Sequence, residues 1–240
     1  MNTGMINGQT DYIPVPRIGD ETPEFVANST RGPITFPDDF TGKWVLLFSH
    51  PADFTPVCTT EFMKFATMEE EFKQLNCQLL GLSVDSLYSH IAWLRTIKDK
   101  IKFKELEQVE VKFPLIEDAS MAISKKFGMI QPNESYTKPV RSVFFIDPKG
   151  IIRAIIFYPL NVGRNFKELK RILIALQVAD EYGVSTPADW QPGDDVIVPA
   201  ATSYNAAAIR MEEGFNRSSN CGDWFFCMQP LSLEDALHTT

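Results

Sequence analysis

A chain of 240 residues can hold one large α/β domain, or one domain and an arm, and it is long enough to bury a full core. Its composition, 44% hydrophobic and 22% charged, is that of a soluble globular protein, and no apolar run approaches the roughly 18 residues that a membrane span needs. The formal net charge of -8 argues against a nucleic-acid partner, and the four cysteines, Cys58, Cys77, Cys221 and Cys227, are too few and too scattered for a secreted disulfide scaffold.

In chain order, Met1 to Asp11 is rich in Gly, Asn and Thr and lacks the basic start and apolar middle of a signal peptide. Residues 1–12 therefore read as a flexible N-terminus and the protein as cytoplasmic. Glu24 to Asn28 and Pro33 to Phe36 are strand-like, separated by the turn-prone Ser29-Thr30-Arg31-Gly32, and read as a hairpin cap on a main sheet. Val45-Leu46-Leu47-Phe48 is an unbroken apolar run, as in a strand buried on both faces. Behind it, Phe62, Phe65, Ala66, Met68, Phe72 and Leu75 recur at near-helical spacing, with Thr55 as N-cap and Pro56 as the first helical residue. Gln78 to Val84 is the next strand, so strand, helix and strand form a βαβ unit, and sites in open α/β sheets gather at the carboxyl ends of such strands.

Ser86 to Lys100 reads as a second helix with Leu87, Ile91, Leu94 and Ile97 inward, and the run Lys98, Lys100, Lys102, Lys104 as a solvated helix face or loop. Phe113-Pro114-Leu115 is extended, Met121 to Phe127 is a short helix closed by Gly128, and Ile130 to Pro139 is a loop. Ser142 to Ile146 and Ile151 to Phe157 pair across Asp147-Pro148-Lys149-Gly150, and Asn165 to Tyr182 is an amphipathic helix with Phe166, Leu169, Ile172, Leu173 and Leu176 inward. This order predicts an α/β, thioredoxin-like fold over residues 13–182: a central mixed sheet flanked by helices. Residues 183–240 form an extended C-terminal arm that ends in Cys221-Gly222-Asp223-Trp224-Phe225-Phe226-Cys227. Three aromatics with little core of their own need another surface to pack on.

The chemistry centres on Cys58. Packing explains most free cysteines, but it does not require one in the first turn of a helix, where free N–H groups and the helix dipole favour a thiolate. The segment Pro51-x-x-x-Thr55-x-x-Cys58, within His50-Pro51-Ala52-Asp53-Phe54-Thr55-Pro56-Val57-Cys58-Thr59-Thr60-Glu61, resembles the active-site motif of peroxiredoxins of the one-cysteine, peroxiredoxin-6-like subfamily. Lys138-Pro139-Val140-Arg141-Ser142 and Tyr158-Pro159 with Gly163-Arg164-Asn165-Phe166 extend the resemblance, which covers Ile13 to Met228. It implies a thiol-specific peroxidase that reduces hydrogen peroxide and organic hydroperoxides and needs no cofactor or metal. Cys58 would be the peroxidatic nucleophile, Thr55 and the Cys58 backbone the peroxide's hydrogen-bonding partners, Arg141 the cation beside thiolate and substrate, and Pro51 the shield against water. His50, Glu61 and Arg164 would support the pocket. An arginine fixed beside the site of O–O cleavage suits the negative charge that builds on the departing oxygen.

The cysteine pair of the arm departs from a one-cysteine pattern and is similar to that of archaeal-type members. The resemblance then implies that Cys227 of a neighbouring subunit resolves the sulfenic acid, that Cys221 exchanges with it, and that a thioredoxin-like dithiol recycles the protein. It further implies dimers assembled into a ring, a decamer. Cys77 reads as inert. A zinc site of Cys58, Cys221, Cys227 and His50 is disfavoured because five residues between the arm cysteines exceed the usual spacing. The lipase serine of some relatives would fall in Thr41-Gly42-Lys43-Trp44, which has none, and a thioredoxin-type oxidoreductase would need Cys-x-x-Cys where Thr55-Pro56-Val57-Cys58 stands. A peroxide sensor or chaperone-like oligomer is the alternative from another class.

Overall fold

The computed structural model describes residues 15–214 and 220–237, so the expected flexible N-terminus at 1–12 lies outside the described residues. The elements in order are β1 (Phe25–Ser29), β2 (Gly32–Phe36), β3 (Trp44–Ser49), α1 (Pro56–Gln74), β4 (Cys77–Ser83), α2 (Leu87–Lys100), β5 (Lys102–Phe103), β6 (Leu106–Glu107), β7 (Leu115–Glu117), α3 (Ala122–Lys126), β8 (Arg141–Ile146), β9 (Ile152–Tyr158), α4 (Phe166–Tyr182), β10 (Val196–Val198), α5 (Tyr204–Gly214), β11 (Asn220–Asp223), β12 (Phe226–Gln229) and α6 (Leu233–Leu237). Two compact units divide the chain: Met1–Ala66 with Gln78–Gly163, and Thr67–Cys77 with Arg164–Thr240.

The first unit is built on a seven-stranded mixed sheet in the order β2-β1-β7-β4-β3-β8-β9. β4 and β7 are parallel, with Gly81 opposite Leu115, while β3 with β8 and β8 with β9 are antiparallel. The unbroken apolar run of β3 is explained by burial on both faces. Val45 and Leu47 join Phe36, Leu80, Leu82, Ile116, Ile123, Phe127 and Phe144 in one core cluster. On the other face Phe48 stacks on Phe65 of α1 at 4.0 Å and meets Phe62 and Phe113 edge-on. Each such ring removes enough apolar surface from water to contribute about 1.5–3 kcal/mol. Gly81 lies in this layer because a Cβ there would come within 3.1 to 3.3 Å of Leu115, Phe48 and Phe62.

The structure corrects two details of the sequence reading in this unit. α2 is capped by Ser86, whose hydroxyl accepts from the Ser89 N–H, but its buried face is His90, Trp93 and Ile97, and Ile91 points to solvent. The helix is rotated by about one residue because His90 and Trp93 find buried polar partners, as described below. The lysine-rich run holds the small β5–β6 hairpin, closed by an ion pair between Lys102 and Glu107. The β1–β2 hairpin extends the sheet itself, through the pairing of Ser29 with Ile116.

The second unit gathers the end of α1, α4 and the residues that follow. The Asn165 side chain caps α4 by accepting from the Lys167 and Glu168 N–H groups, and Gly183 ends it in the left-handed conformation that glycine adopts without strain. Gln177 is buried and donates to the Leu75 carbonyl at 2.7 Å, and Lys170 pairs with Glu71. The arm has more regular structure than its turn-rich sequence suggests: α5, α6 and a three-stranded sheet in the order β10-β12-β11. Trp190 is buried as an anchor, its indole N–H donating to the Asp194 carbonyl. Trp224, Phe225 and Phe226 remain exposed at the β11–β12 turn. Among the described residues no helix is long and apolar enough to cross a membrane.

Candidate active site

β3 ends at Ser49, and the loop His50 to Thr55 carries the chain to α1. The Thr55 carbonyl accepts the first helical bond from the Thr59 N–H at 3.0 Å, so Pro56 stands where a missing N–H costs nothing and Cys58 is the third helical residue. The Cys58 side chain is fully buried.

Arg141 reaches the same point from β8. Its Nη1 donates to Cys58 Sγ at 3.2 Å and to Glu61 Oε2 at 2.7 Å. Nε and Nη2 both donate to the Leu160 carbonyl, at 3.0 and 2.8 Å, which fixes the guanidinium plane. The backbone on either side of Arg141 is held by Ser49, whose hydroxyl donates to the Val140 carbonyl at 2.5 Å and accepts from the Ser142 N–H at 3.1 Å. Arg141 and Glu61 are only 3% and 2% exposed, so the pair is desolvated and its geometry matters more than that of a surface bridge. Eighty-three residues separate the thiol from the cation that touches it.

Of the other residues singled out in the sequence, Pro51 is buried in the loop and Thr55 is half-buried, its hydroxyl donating to the Ala52 carbonyl at 2.8 Å. Glu61 reaches the site as the second partner of Arg141. His50 is fully buried, its N–H bound to the Leu82 carbonyl. Arg164 is buried immediately before the cap of α4, and Cys221 and Cys227 lie in the arm, all in the second unit. Cys221 and Cys227 face each other across β11 and β12 and are joined as a disulfide, with Cα atoms 4.0 Å apart. Cys58 and Cys77 are buried and take part in no disulfide.

The sequence reading missed a buried polar network beside this loop. Asp53 takes His50 Nε2 at 2.9 Å on one carboxylate oxygen and His90 Nδ1 at 2.8 Å on the other. His90 Nε2 lies 3.2 Å from the Ile116 carbonyl. The Asp53 N–H donates to Asp85 Oδ2, which also accepts from the Ser83 hydroxyl. Trp93 stacks on His50 and donates to the Thr59 hydroxyl. Burial alone would raise the Asp53 pKa, but the hydrogen bonds from His50 and His90 and their attraction outweigh it and hold it at about 2. Burial lowers the His50 pKa, opposed by the hydrogen bond that its Nε2 makes to the Asp53 carboxylate and by the attraction of that charge, so the neutral ring is favoured. Its Nδ1 has no partner among the described residues. His50, Asp53 and Asp85 offer ligand atoms within 4.8 Å of one another, a spacing that suits a cation, but these atoms are engaged in the bonds just named. Asp53, Asp85 and His90, polar residues within or next to apolar elements, were the available signal.

Comparison with known proteins gives the family. Residues 18–155 match the AhpC/TSA family, and residues 175–214 match the C-terminal domain of 1-Cys peroxiredoxin. A peroxiredoxin of Methanosarcina mazei is 55% identical over 218 residues, covering 90% of this chain and 98% of the relative. One of Aquifex aeolicus is 51% identical, with 90% and 98% covered. Among solved structures, a yeast mitochondrial 1-Cys peroxiredoxin superposes with a TM-score of 0.76 at 40% identity, covering 90% of this chain and all of that one. A cysteine-to-serine mutant of peroxiredoxin 6 of Arenicola marina gives 0.74 at 32% identity, with 90% and 98% covered. The fold of these neighbours is the thioredoxin-like one that the order of elements predicts.

Proposed function

The chain belongs to the peroxiredoxins, a family of peroxidase oxidoreductases, and on that premise we propose that Cys58 is its peroxidatic cysteine, acting on hydrogen peroxide and small organic hydroperoxides. The observation that carries the reading is the oriented guanidinium of Arg141 at 3.2 Å from a buried thiol in the first turn of a helix. The thiolate attacks one peroxide oxygen, the O–O bond breaks, and the departing oxygen leaves as water or alcohol after taking a proton. Cys58 becomes a sulfenic acid. Arg141 and the backbone N–H groups at the helix start stabilise charge on the departing oxygen, Thr55 contributes its hydroxyl, and Pro51 keeps water from the thiolate. His50, Glu61 and Arg164 have supporting roles, of which Glu61 holds Arg141.

For turnover, Cys227 of a neighbouring subunit attacks the sulfenic sulfur and releases water. Cys221 then displaces Cys58 from Cys227, and the resulting Cys221–Cys227 disulfide is reduced by a thioredoxin-like dithiol. The bridge between Cys221 and Cys227 supports this order, because it is the product the exchange leaves behind. The neighbouring structure of the yeast mitochondrial relative concerns thiol resolution through glutathione and thioredoxin systems, which supports a thiol reductant here. The arm's exposed aromatics support a homodimer, assembled by family resemblance into a ring, a decamer, in the cytoplasm.

The same bridge favours a second reading, a peroxide sensor or chaperone-like oligomer, since thiols tied to each other cannot resolve Cys58. Steady peroxide consumption with a dithiol supports the enzyme, whereas one equivalent followed by a stable oxidised form supports the sensor. A Cys58→Ser variant that keeps the wild-type rate would overturn both.

A further inference from the structure

We propose that Asp53 is a positioning residue of the peroxide pocket, its carboxylate clamping the loop that carries Pro51 and Thr55 to the buried His50 at the loop's own start and to the buried His90 of α2. The inference rests on the reading of Cys58 as the reacting thiolate.

Asp53 lies midway along the loop from β3 to α1, and four hydrogen bonds fix that loop at its middle and at its start. The carboxylate binds back to His50 at 2.9 Å and across to His90 of α2 at 2.8 Å. The Asp53 N–H is held by Asp85, just beyond β4, at 2.9 Å, and the His50 N–H by the Leu82 carbonyl of β4 at 3.0 Å. The next residue, Phe54, is exposed and has a left-handed backbone with φ of 56°. A large aromatic residue keeps that conformation only where its surroundings impose it, and the bonds on Asp53 do so. Thr55, one residue further, donates its hydroxyl back to the Ala52 carbonyl, so the position of this hydroxyl depends on how the loop is held.

Arg141 and Glu61 do not depend on the clamp. They are fixed by Leu160, by Ser49 and by α1. Loss of Asp53 therefore leaves the thiol and its cation in place and displaces the side of the pocket that orients the peroxide. A displacement of about 1 Å in a group that positions substrate costs about 100-fold in rate. The clamp should affect reaction with a peroxide, which must be oriented for in-line attack, more than reaction with a simple alkylating agent.

The test uses the full chain with Asp53→Ala and, in parallel, Asp53→Asn, which can accept from only one of the two rings. Two rate constants of the reduced protein are measured: that with hydrogen peroxide by stopped flow, and that of Cys58 with iodoacetamide by mass spectrometry. Thermal melts monitor the fold. The expected result is a ratio of peroxide to alkylation rate at least tenfold below the wild type's in Asp53→Ala, with a smaller fall in Asp53→Asn. A lower melting temperature with a ratio within tenfold of the wild type's in Asp53→Ala would make Asp53 merely structural and overturn the proposal. If Asp53→Ala does not fold, a ratio in Asp53→Asn within threefold of the wild type's overturns it equally. A peroxide reaction that survives Cys58→Ser in the otherwise unaltered chain would instead overturn the assignment of Cys58, an outcome distinct from either.

Discussion

Replacing Arg141 with Met probes the site most sharply, because one side chain serves both reaction and fold. Arg141 is buried, and its Nη1 is shared between Cys58 Sγ and Glu61 Oε2. Methionine fills similar space and donates nothing. Loss of an oriented donor at a site of developing charge costs about 100- to 1000-fold in rate, or about 2.7–4 kcal/mol. It also leaves the Glu61 carboxylate buried without its partner, and breaking one side of such a pair costs about 3–5 kcal/mol of stability. The two losses separate in the double variant Arg141→Met with Glu61→Gln, where the stranded charge is gone and the cation is still missing. Urea melts should show most of the stability restored, while stopped-flow reaction with hydrogen peroxide stays about 100-fold or more below wild type. Recovery of the rate together with the stability would refute the catalytic role of Arg141 and reduce it to a structural ion pair.

Arg141→Lys keeps the charge but cannot serve Leu160, Glu61 and Cys58 at once, so its peroxide rate should lie between those of wild type and Arg141→Met. Gly81→Ala should cost about 1–3 kcal/mol in urea melts, because the new methyl meets Leu115, Phe48 and Phe62 in a filled layer, and an unchanged midpoint would contradict that packing. The Asp53 pKa is depressed on folding to about 2 from 3.8, so its contribution of about 2 kcal/mol is present above pH 4 and lost as pH falls towards 2. The His50 pKa is lowered too, so stability already declines as pH falls below 6.5, where the unfolded chain gains a proton that the folded ring does not. Urea melts at descending pH should show both limbs, with Asp53→Asn flattening the lower one. Non-reducing gels after one equivalent of peroxide should show an intersubunit crosslink that Cys227→Ser abolishes, and its persistence would move the resolving role to Cys221.

What the sequence disclosed, it disclosed where the cause is local. Asp147-Pro148-Lys149-Gly150 forces a turn wherever it stands, and β8 and β9 pair across it. Pro56 starts a helix by its own chemistry, whereas the Thr55 hydroxyl, read as a cap, turns back to the Ala52 carbonyl and only the Thr55 backbone carbonyl takes part in the helix. The inward face of α2 was not legible, because hydrophobicity favours Ile91 over His90, and only Asp53 and the Ile116 carbonyl, distant in sequence, make a buried histidine tolerable. The place of β7 between β1 and β4 was hidden for the same reason, since its parallel pairing with β4 sets Leu115 opposite Gly81, 34 residues earlier. Cys58 was legible from its helix, whereas its contact with Arg141 spans 83 residues and was reached only by family resemblance. The β11–β12 hairpin of the arm was obscured by its aromatics, which read as a segment that needs a surface to pack on and stand exposed at the turn of a cross-linked ribbon.

The most direct test of the central claim is trapping of the oxidised thiol. The protein, with Cys221 and Cys227 replaced by Ser so that no arm thiol competes, is treated with one equivalent of hydrogen peroxide in the presence of dimedone and digested for mass spectrometry. One dimedone adduct is expected, on Cys58, formed in step with peroxide loss and absent when Cys58 is also replaced. Peroxide consumed with Cys58 unmodified, or an adduct on Cys77 instead, would contradict the peroxidatic role of Cys58.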